Sequence, residues 1–299
     1  MTMTFTRPFR VARSGGKTGS AAQEMPEMTD HAGRLSVLIP VYNEEKTVDE
    51  ILTRVLALGP VVKEIVVVDD GSKDRTAEVV RGRAEAEPKI RFYQSPKNGG
   101  KTAAIKQALA LATGEIVIIQ DADLEYDPAE IPEVIAPILM GVADVVYGSR
   151  FLVRKATRVL YFYHYLANTG LTFLCNMLTN RNMTDIETCY KAFRAEVIKP
   201  LNLTSKGFGM EVEITAMVCK TKARTYEVPI SYYGRSYEEG KHISTWDGVM
   251  ALWYIGYYNL IKSWTPAGRR YIRAVNAALE KPTVAVGANA TAAANESAA

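Results

Sequence analysis

Between Leu35 and Arg150 the chain alternates short apolar runs with longer amphipathic segments. Apolar runs of strand length predict β-strands at 35–42, 64–72, 89–95, 115–123 and 143–150. Apolar residues at helical spacing predict helices between them, at 47–59, 74–86, 100–114 and 128–141. Strands that alternate with helices are typical of βαβ units, so we expect an α/β fold with a mostly parallel sheet flanked by helices.

Polar residues collect where the first, second and fourth predicted strands end. The clusters are Tyr42-Asn43-Glu44, Asp69-Asp70-Gly71-Ser72 and Asp121-Ala122-Asp123. Ligands of open parallel sheets bind beyond the carboxyl ends of the strands. The three clusters are therefore expected to meet at one crevice.

Of the three clusters, Asp121-Ala122-Asp123 is the most specific indication of function. Two carboxylates one residue apart at a strand end can both reach a hard divalent cation, which can bridge a diphosphate and stabilise a departing nucleotide. A solvated turn with an Asp cap is the structural alternative, and the neighbouring clusters favour the metal site. A calcium EF-hand is excluded because Tyr126 and Pro132 stand where that loop needs glycine and glutamate.

The other clusters are weaker when taken alone. Tyr42 could stack on a base and Glu44 could bond it, or Glu44 could simply be a helix-start acid. Asp70 could bond a base or ribose, or cap the next helix. Lys101 follows Asn98-Gly99-Gly100 at a predicted helix start, where an anion is favoured, but the full phosphate-loop spacing of an NTPase is missing.

Five motifs in order carry a family resemblance: PVYNEE, VVVDDGSKDRT, KNGGKTAAIKQAL, QDADLEYDP and TDIETCYK. Together they resemble the family 2 glycosyltransferases of the GT-A fold, in the branch of dolichyl-phosphate mannose synthase-like and bacterial polyprenyl-phosphate sugar synthases. The resemblance covers about 34 to 245. It implies an inverting hexosyltransferase that uses a UDP- or GDP-sugar and Mg²⁺ or Mn²⁺.

The resemblance also implies roles for individual residues. The base and ribose would be held by Pro40, Tyr42, Glu44, Val68 and Asp70. The metal and diphosphate would be held by Asp121, Ala122 and Asp123, with Glu125 as a further metal ligand where many mannose synthases have Gln. Lys101 and a loop carrying Arg235 and Lys241 would contact the donor phosphates, and Arg150 would face the phosphates or the acceptor.

Asp185 is the candidate catalytic carboxylate, and its role depends on the acceptor. A sugar hydroxyl would need a general base. A lipid phosphate is already largely ionised at pH 7, its second pKa being about 6, so Asp185 would then orient other groups. Glu211 and Glu213 are tentative acceptor-side residues, or first-turn acids of a helix.

Composition narrows the function. A net charge of +3 over 299 residues argues against a nucleic-acid binder. Three cysteines without CxxC spacing favour a reducing compartment, and no secretory signal or apolar stretch long enough to span a bilayer is evident. A cytoplasmic enzyme, peripheral at the inner face of the plasma membrane, is expected.

Two aromatic segments suggest contact with a membrane surface or a homodimer partner. In 159–178, polar residues recur every four positions, which places them on one helical face: His164, Asn168, Thr172 and Asn176. The second segment, 246–264, is rich in Trp and Tyr and is followed by arginines. We predict flexible tails at 1–33 and 282–299, a catalytic domain at 34–245, and an amphipathic helical extension at 246–281.

The expected function is hexose transfer to polyprenyl phosphate. Extension of a lipid-linked or cell-surface glycan is the alternative within the enzyme class. A non-catalytic nucleotide-sugar-binding membrane scaffold is the alternative outside it, and the Asp121, Asp123 and Asp185 carboxylates argue against that.

Overall fold

The structure is a computed structural model that describes residues 28–152, 161–207, 209–234 and 245–281. The strands are β1 Leu35–Val41, β2 Val62–Asp69, β3 Ile90–Gln94, β4 Ile116–Ile119, β5 Val145–Ser149, β6 Lys191–Arg194 and β7 Thr225–Pro229. The helices are α1 Val48–Leu56, α2 Thr76–Ala86, α3 Lys101–Leu111, α4 Ile131–Leu139, α5 Phe162–Thr179, α6 Ala195–Ile198, α7 Gly209–Val218, α8 Thr245–Leu260 and α9 Pro266–Leu279.

All seven strands form one sheet in the order β3-β2-β1-β4-β6-β5-β7. Every pairing is parallel except those of β6, which runs antiparallel to both β4 and β5. The predicted α/β class and mostly parallel sheet are confirmed. The apolar runs of β1, β2 and β4 are buried because helices cover both faces of such a sheet.

The register of the central strands brings the polar clusters to one edge. Val41 lies opposite Asp69 in the β1–β2 pair, and Leu38 lies opposite Ile119 in the β1–β4 pair. The residues that follow these strands therefore emerge side by side. The crevice expected from the sequence is present at the carboxyl edge of the sheet.

The antiparallel strand β6 has a direct consequence for the site. It was not predicted, and its first residue, Lys191, pairs with Tyr147 of β5. Because β6 runs against its neighbours, the segment that precedes it arrives at the same edge where β4 and β5 end. Asp185 and the residues between it and β6 therefore lie at the crevice, at the start of a strand and not at the end of one.

The helix predicted in 159–178 is α5, and its orientation is informative. The polar face is turned to the protein: Thr172 is buried and accepts a hydrogen bond from the Ile186 amide, and Asn176 bonds the Met183 backbone. The opposite face presents Phe162 and Phe173, 65% and 70% exposed, to the outside. Residues 153–160 lie outside the described part.

The C-terminal helices pack onto the body of the fold. α8 lies against α5 and α7, and α9 lies against α6 and α7. α8 also exposes large apolar side chains, Trp253 among them. None of the helices in the described ranges is both long and apolar enough to cross a bilayer.

Candidate active site

Asp70 ties the end of β2 to the start of α3. Its carboxylate accepts hydrogen bonds from the Gly99 and Gly100 amides at 2.9 and 2.7 Å, and the side chain is 3% exposed. Gly100 has φ of +85°, and a Cβ on Gly99 would lie 2.9 Å from Ala103 Cβ, so both glycines suit this close turn. The contact fixes the place where α3 begins and hence the direction of Lys101.

Lys101 links the Asp121 motif to the second half of the chain. Its ammonium lies 2.8 Å from Asp121 Oδ1, 3.7 Å from Glu211 Oε1 and 3.4 Å from Cys189 Sγ. Burial alone would lower the pKa of Lys101, but the acidic neighbours hold that pKa well above its usual value. A permanently charged ammonium therefore sits where a donor diphosphate is expected.

The turn after Asp121 arranges the other predicted metal ligands. Leu124 has φ of +63°, unusual for a residue with a side chain, and Asp123 Oδ1 accepts a hydrogen bond from the Glu125 amide at 3.1 Å. The Tyr232 hydroxyl donates to Glu125 Oε2 at 2.7 Å. Such strain in a short motif at a crevice is typical of a functional turn.

The donor chemistry of these carboxylates suits Mg²⁺ or Mn²⁺, which prefer hard oxygen ligands. No group of three or more His, Cys, Asp or Glu side chains in the described ranges is arranged to hold a metal ion. Lys101 neutralises Asp121 instead, and Tyr232 engages Glu125. A divalent cation at Asp121 and Asp123 would have to share these carboxylates with the present partners.

The residues predicted to hold the base and ribose line the ends of β1 and β2. Tyr42 is 41% exposed beside Asn43, which has φ of +56° and accepts a hydrogen bond from the Lys73 amide through its side chain. The Glu44 amide donates to Thr76 Oγ1 at 2.8 Å. These bonds join the loops after β1 and β2, with Pro40 half-buried and Val68 fully buried beneath.

Asp185 and Arg150 form a buried bidentate pair. Arg150 donates through Nε to Oδ2 at 2.7 Å and through Nη2 to Oδ1 at 2.8 Å, and its amide donates to Oδ2 at 3.1 Å. Asp185 is fully buried. Burial alone would lower the pKa of Arg150, but Tyr126, Asp185 and Tyr232 hold it well above its usual range. The guanidinium also lies 5.1 Å from the Tyr232 ring centroid.

The two acceptor-side candidates on α7, Glu211 and Glu213, have different surroundings. Glu211 faces Lys101, whereas Glu213 accepts hydrogen bonds from the Thr204 and Ser205 amides and from the Thr204 hydroxyl, and is fully buried. Glu213 therefore fixes the loop before α7 and does not reach the crevice. The predicted Arg235 and Lys241 lie outside the described residues.

Sequence reasoning missed several residues that the fold brings to the crevice: Tyr126, Glu187, Cys189, Lys191 and Tyr232. Three of these lie within TDIETCYK, and the family resemblance of that motif was the available signal. Tyr126 accepts a hydrogen bond from the Cys189 amide at 3.2 Å and packs on Tyr232. These tyrosines join the metal motif to the Asp185 segment.

Comparison with known proteins agrees with this architecture. The profile described as Glycosyl transferase family 2 matches residues 36–201. A dolichol-phosphate mannosyltransferase of Pyrococcus furiosus is 30% identical over 211 residues, which are 70% of this chain and 59% of that protein. An undecaprenyl-phosphate 4-deoxy-4-formamido-L-arabinose transferase of Edwardsiella ictaluri is 31% identical over 70% of this chain and 62% of that protein. The chain thus spans about three fifths of the length of these relatives.

Among solved structures, glucosyl-3-phosphoglycerate synthase from Mycobacterium tuberculosis superposes with a TM-score of 0.60 at 20% identity. The alignment covers 79% of this chain and 80% of that one, and that structure contains Mn²⁺, UDP and phosphoglyceric acid. Its likeness establishes a GT-A glycosyltransferase fold for this chain. The chain belongs to glycosyl transferase family 2, which confirms the family predicted from the motifs.

Proposed function

We propose that the protein transfers a hexose, with inversion, from a UDP- or GDP-sugar to polyprenyl phosphate at the cytoplasmic face of the membrane. The observation that carries this proposal is the Asp185–Arg150 pair. Both Asp185 oxygens accept hydrogen bonds from Arg150, so this carboxylate orients a guanidinium and is poorly placed to take a proton from a hydroxyl. A phosphate acceptor needs no base, because it is already largely ionised at neutral pH.

Arg150 is suited to receive that phosphate. A guanidinium has five N–H donors, and the side-chain pair with Asp185 uses only Nε and Nη2. The remaining donors can bind a second anion without releasing the first. Arginine held by a carboxylate in this way is a preorganised phosphate site.

The donor side is supported by the Asp121 motif and Lys101. Asp121 and Asp123, with Glu125, would hold Mg²⁺ or Mn²⁺, which would neutralise the charge of the departing nucleoside diphosphate. Lys101 adds a fixed positive charge at the start of α3, where backbone amides also favour an anion. Tyr42 at the crevice rim offers an exposed ring on which a base can stack.

The outward face of α5 supports a lipid acceptor and a peripheral membrane location. This apolar face comprises Phe162, Tyr163, Leu166, Phe173 and Met177, each at least half exposed. The helix itself lies next to the Arg150 region, because Tyr165 of α5 packs edge-to-face on Phe151 at 5.2 Å. A phosphate at Arg150 could therefore keep its hydrocarbon tail against a surface that inserts into the bilayer.

The names of the two relatives support the same acceptor class, since one acts on dolichol phosphate and the other on undecaprenyl phosphate according to those names. The test is incubation of the purified protein with a panel of UDP- and GDP-sugars, Mn²⁺ and vesicles that contain polyprenyl phosphate. We expect a lipid-linked monosaccharide from at least one donor. Transfer to a soluble or lipid-linked glycan, with no product on polyprenyl phosphate, would overturn the proposal.

A further inference from the structure

A second group of polar side chains lies buried beside the crevice and has no part in the chemistry above. It consists of Glu187 and Thr188, in the segment before β6, Lys191 of β6, and Glu211 of α7. Thr188 and Lys191 are almost completely buried, and Glu211 is 6% exposed. Lys191 donates to the Thr188 carbonyl, and its ammonium lies 5.2 Å from the Tyr147 ring centroid.

Three atoms of this group are enclosed but have no hydrogen-bond partner in the described part of the chain: Glu187 Oε1, Thr188 Oγ1 and Glu211 Oε2. A buried polar atom left without a partner costs about 1–3 kcal/mol, and native proteins contain few of them. Three in one small region are typical of a site that a polar ligand completes.

The position of the group identifies which part of a ligand it would meet. Glu211 Oε1 is 3.7 Å from the Lys101 ammonium, which contacts Asp121 on the diphosphate side. Glu187 lies two residues after Asp185 in the chain, and the charges of Glu211, Lys191, Arg150 and Asp185 all act on its carboxyl group. The group therefore lies between the donor phosphates and the acceptor site, where the sugar being transferred must be.

We propose that Glu187, Thr188 and Glu211 bind hydroxyl groups of the transferred sugar and thereby select the donor. This inference rests on the proposed function, because it takes the diphosphate to lie at Asp121 and Lys101. Lys191 is a positioning residue that holds the Thr188 backbone.

The protonation of Glu187 suits this task. Burial, and then the charge of Glu211, raise its pKa to about 8 against the opposing charges of Lys191 and Arg150, which favours the protonated carboxyl at neutral pH. A neutral carboxyl both donates and accepts a hydrogen bond, and sugar hydroxyls also do both. Glu187 can therefore bond a hydroxyl in either direction. Sites built to bond a hydroxyl reject analogues that lack it strongly.

The test compares binding of nucleotides with binding of nucleotide-sugars. Calorimetry with Mn²⁺ measures the affinities of UDP, GDP, UDP-glucose and GDP-mannose for wild type and for Glu187→Gln, Thr188→Val and Glu211→Gln. Glu78→Gln, exposed on α2, is the matched control. We expect the first three variants to bind the nucleoside diphosphate within about twofold of wild type, and to bind the accepted nucleotide-sugar about 10-fold or more weakly, the value of one lost polar contact.

A second measurement uses wild-type protein and nucleotide-sugars that lack one sugar hydroxyl. It needs no substitution, so it remains possible if a variant fails to fold. Wild type should lose about 10-fold in affinity when the recognised hydroxyl is removed, and a variant lacking that contact should lose none. Equal affinity of wild type for the nucleotide-sugar and all its deoxy forms would overturn the inference and leave the proposed function standing. If the variants lose affinity equally for the nucleoside diphosphate and for the nucleotide-sugar, the inference about the sugar hydroxyls is also overturned and the proposed function still stands. Failure of wild type to bind any nucleotide would overturn both.

Discussion

Asp70 shows how one side chain can set up a site by holding backbone. Its carboxylate receives two amide hydrogens from the loop that starts α3, and that loop aims Lys101 at Asp121. The sequence predicted Asp70 as a base or ribose contact, and that role remains a prediction. The role of Asp70 in holding the loop before α3 was not predictable, because it depends on where α3 packs against the sheet.

We predict that Asp70→Asn destabilises the fold by about 1–3 kcal/mol, because one of the two amides would face an amide group that cannot accept its hydrogen. Denaturant midpoints measure the loss. Asp49→Asn, an exposed change on α1, is the control and should stay within about 0.5 kcal/mol of wild type. An unchanged midpoint for Asp70→Asn would show that the two amide bonds are not needed.

The role of Asp185 distinguishes a phosphate acceptor from a hydroxyl acceptor. If it orients Arg150, Asp185→Asn should lower kcat/KM for polyprenyl phosphate about 10–100-fold, as loss of a supporting contact does elsewhere. The acidic limb of the pH–rate profile should stay, because it then belongs to the acceptor phosphate. Disappearance of that limb, with a larger loss, would identify Asp185 as a general base instead.

Asp144→Asn is the matched control for that experiment. Asp144 precedes β5 at the opposite edge of the sheet and forms an equivalent bidentate pair with Arg224, with bonds of 2.9 Å from Nε and Nη2. Its loss should reduce stability and leave kcat/KM unchanged. The pair of variants separates the effect of losing a buried carboxylate from the effect of losing this one.

Glu211 and Glu213 mark a limit of sequence reasoning at the residue level. Residues two positions apart on a helix are about 200° apart around its axis, so both could not face the crevice. The sequence alone did not show which of them would. In the structure the Thr204 and Ser205 amides bind Glu213, so Glu211 is the one that faces the crevice.

Among the secondary-structure elements, the strands with an uninterrupted apolar pattern could be predicted, and β6, which lacks one, could not. β1, β2 and β4 were evident from their buried apolar runs, and their register placed the three polar clusters together. β6 has only four residues and includes Lys191 and Arg194, so no hydrophobic pattern marks it. Its antiparallel direction, which brings Asp185 and Glu187 to the crevice, follows from tertiary packing and not from local sequence.

The polar stripe of α5 was found correctly, and only the structure shows that it faces the protein. We predict that Phe162→Ser combined with Phe173→Ser lowers partition to phospholipid vesicles about 10-fold or more, because each exposed ring would contribute about 1.5–3 kcal/mol on burial in lipid. Vesicle sedimentation measures this effect. Tyr93→Ser combined with Tyr226→Ser removes exposed rings of β3 and β7, and should leave partition unchanged. Equal partition of the α5 variant and wild type would contradict a membrane role for this face.

At the scale of the whole molecule, Glu64 joins distant parts of the chain. Its carboxylate bonds Ser36 of β1 at 2.7 Å, Arg91 of β3 at 2.6 Å, and the Thr113 hydroxyl before β4 at 2.8 Å. Burial would raise the pKa of Glu64, but these hydrogen bonds outweigh it and lower the pKa to about 2. This junction could not be predicted from the sequence, because the three partners of Glu64 come from three separate segments.

Glu64 should therefore stabilise the fold in a pH-dependent way. Its folded pKa lies below its unfolded value, so its contribution is complete above about pH 5 and is lost as the pH falls towards about 2. We predict that Glu64→Gln lowers the unfolding free energy by about 1–3 kcal/mol at pH 7, and that the difference from wild type shrinks on acidification. Denaturant titrations at several pH values check both statements. A difference that stays constant down to pH 3 would contradict the assignment.

On our proposal, this family 2 glycosyltransferase delivers its sugar to a lipid phosphate held by Arg150. The most direct measurement compares polyprenyl phosphate with the matching polyprenol, presented in identical vesicles with the accepted nucleotide-sugar and Mn²⁺, and follows the product by mass spectrometry. We expect a glycosyl phosphodiester from polyprenyl phosphate, no product from polyprenol, and loss of product in Asp121→Asn. Transfer to the polyprenol hydroxyl at a comparable rate would contradict a phosphate acceptor.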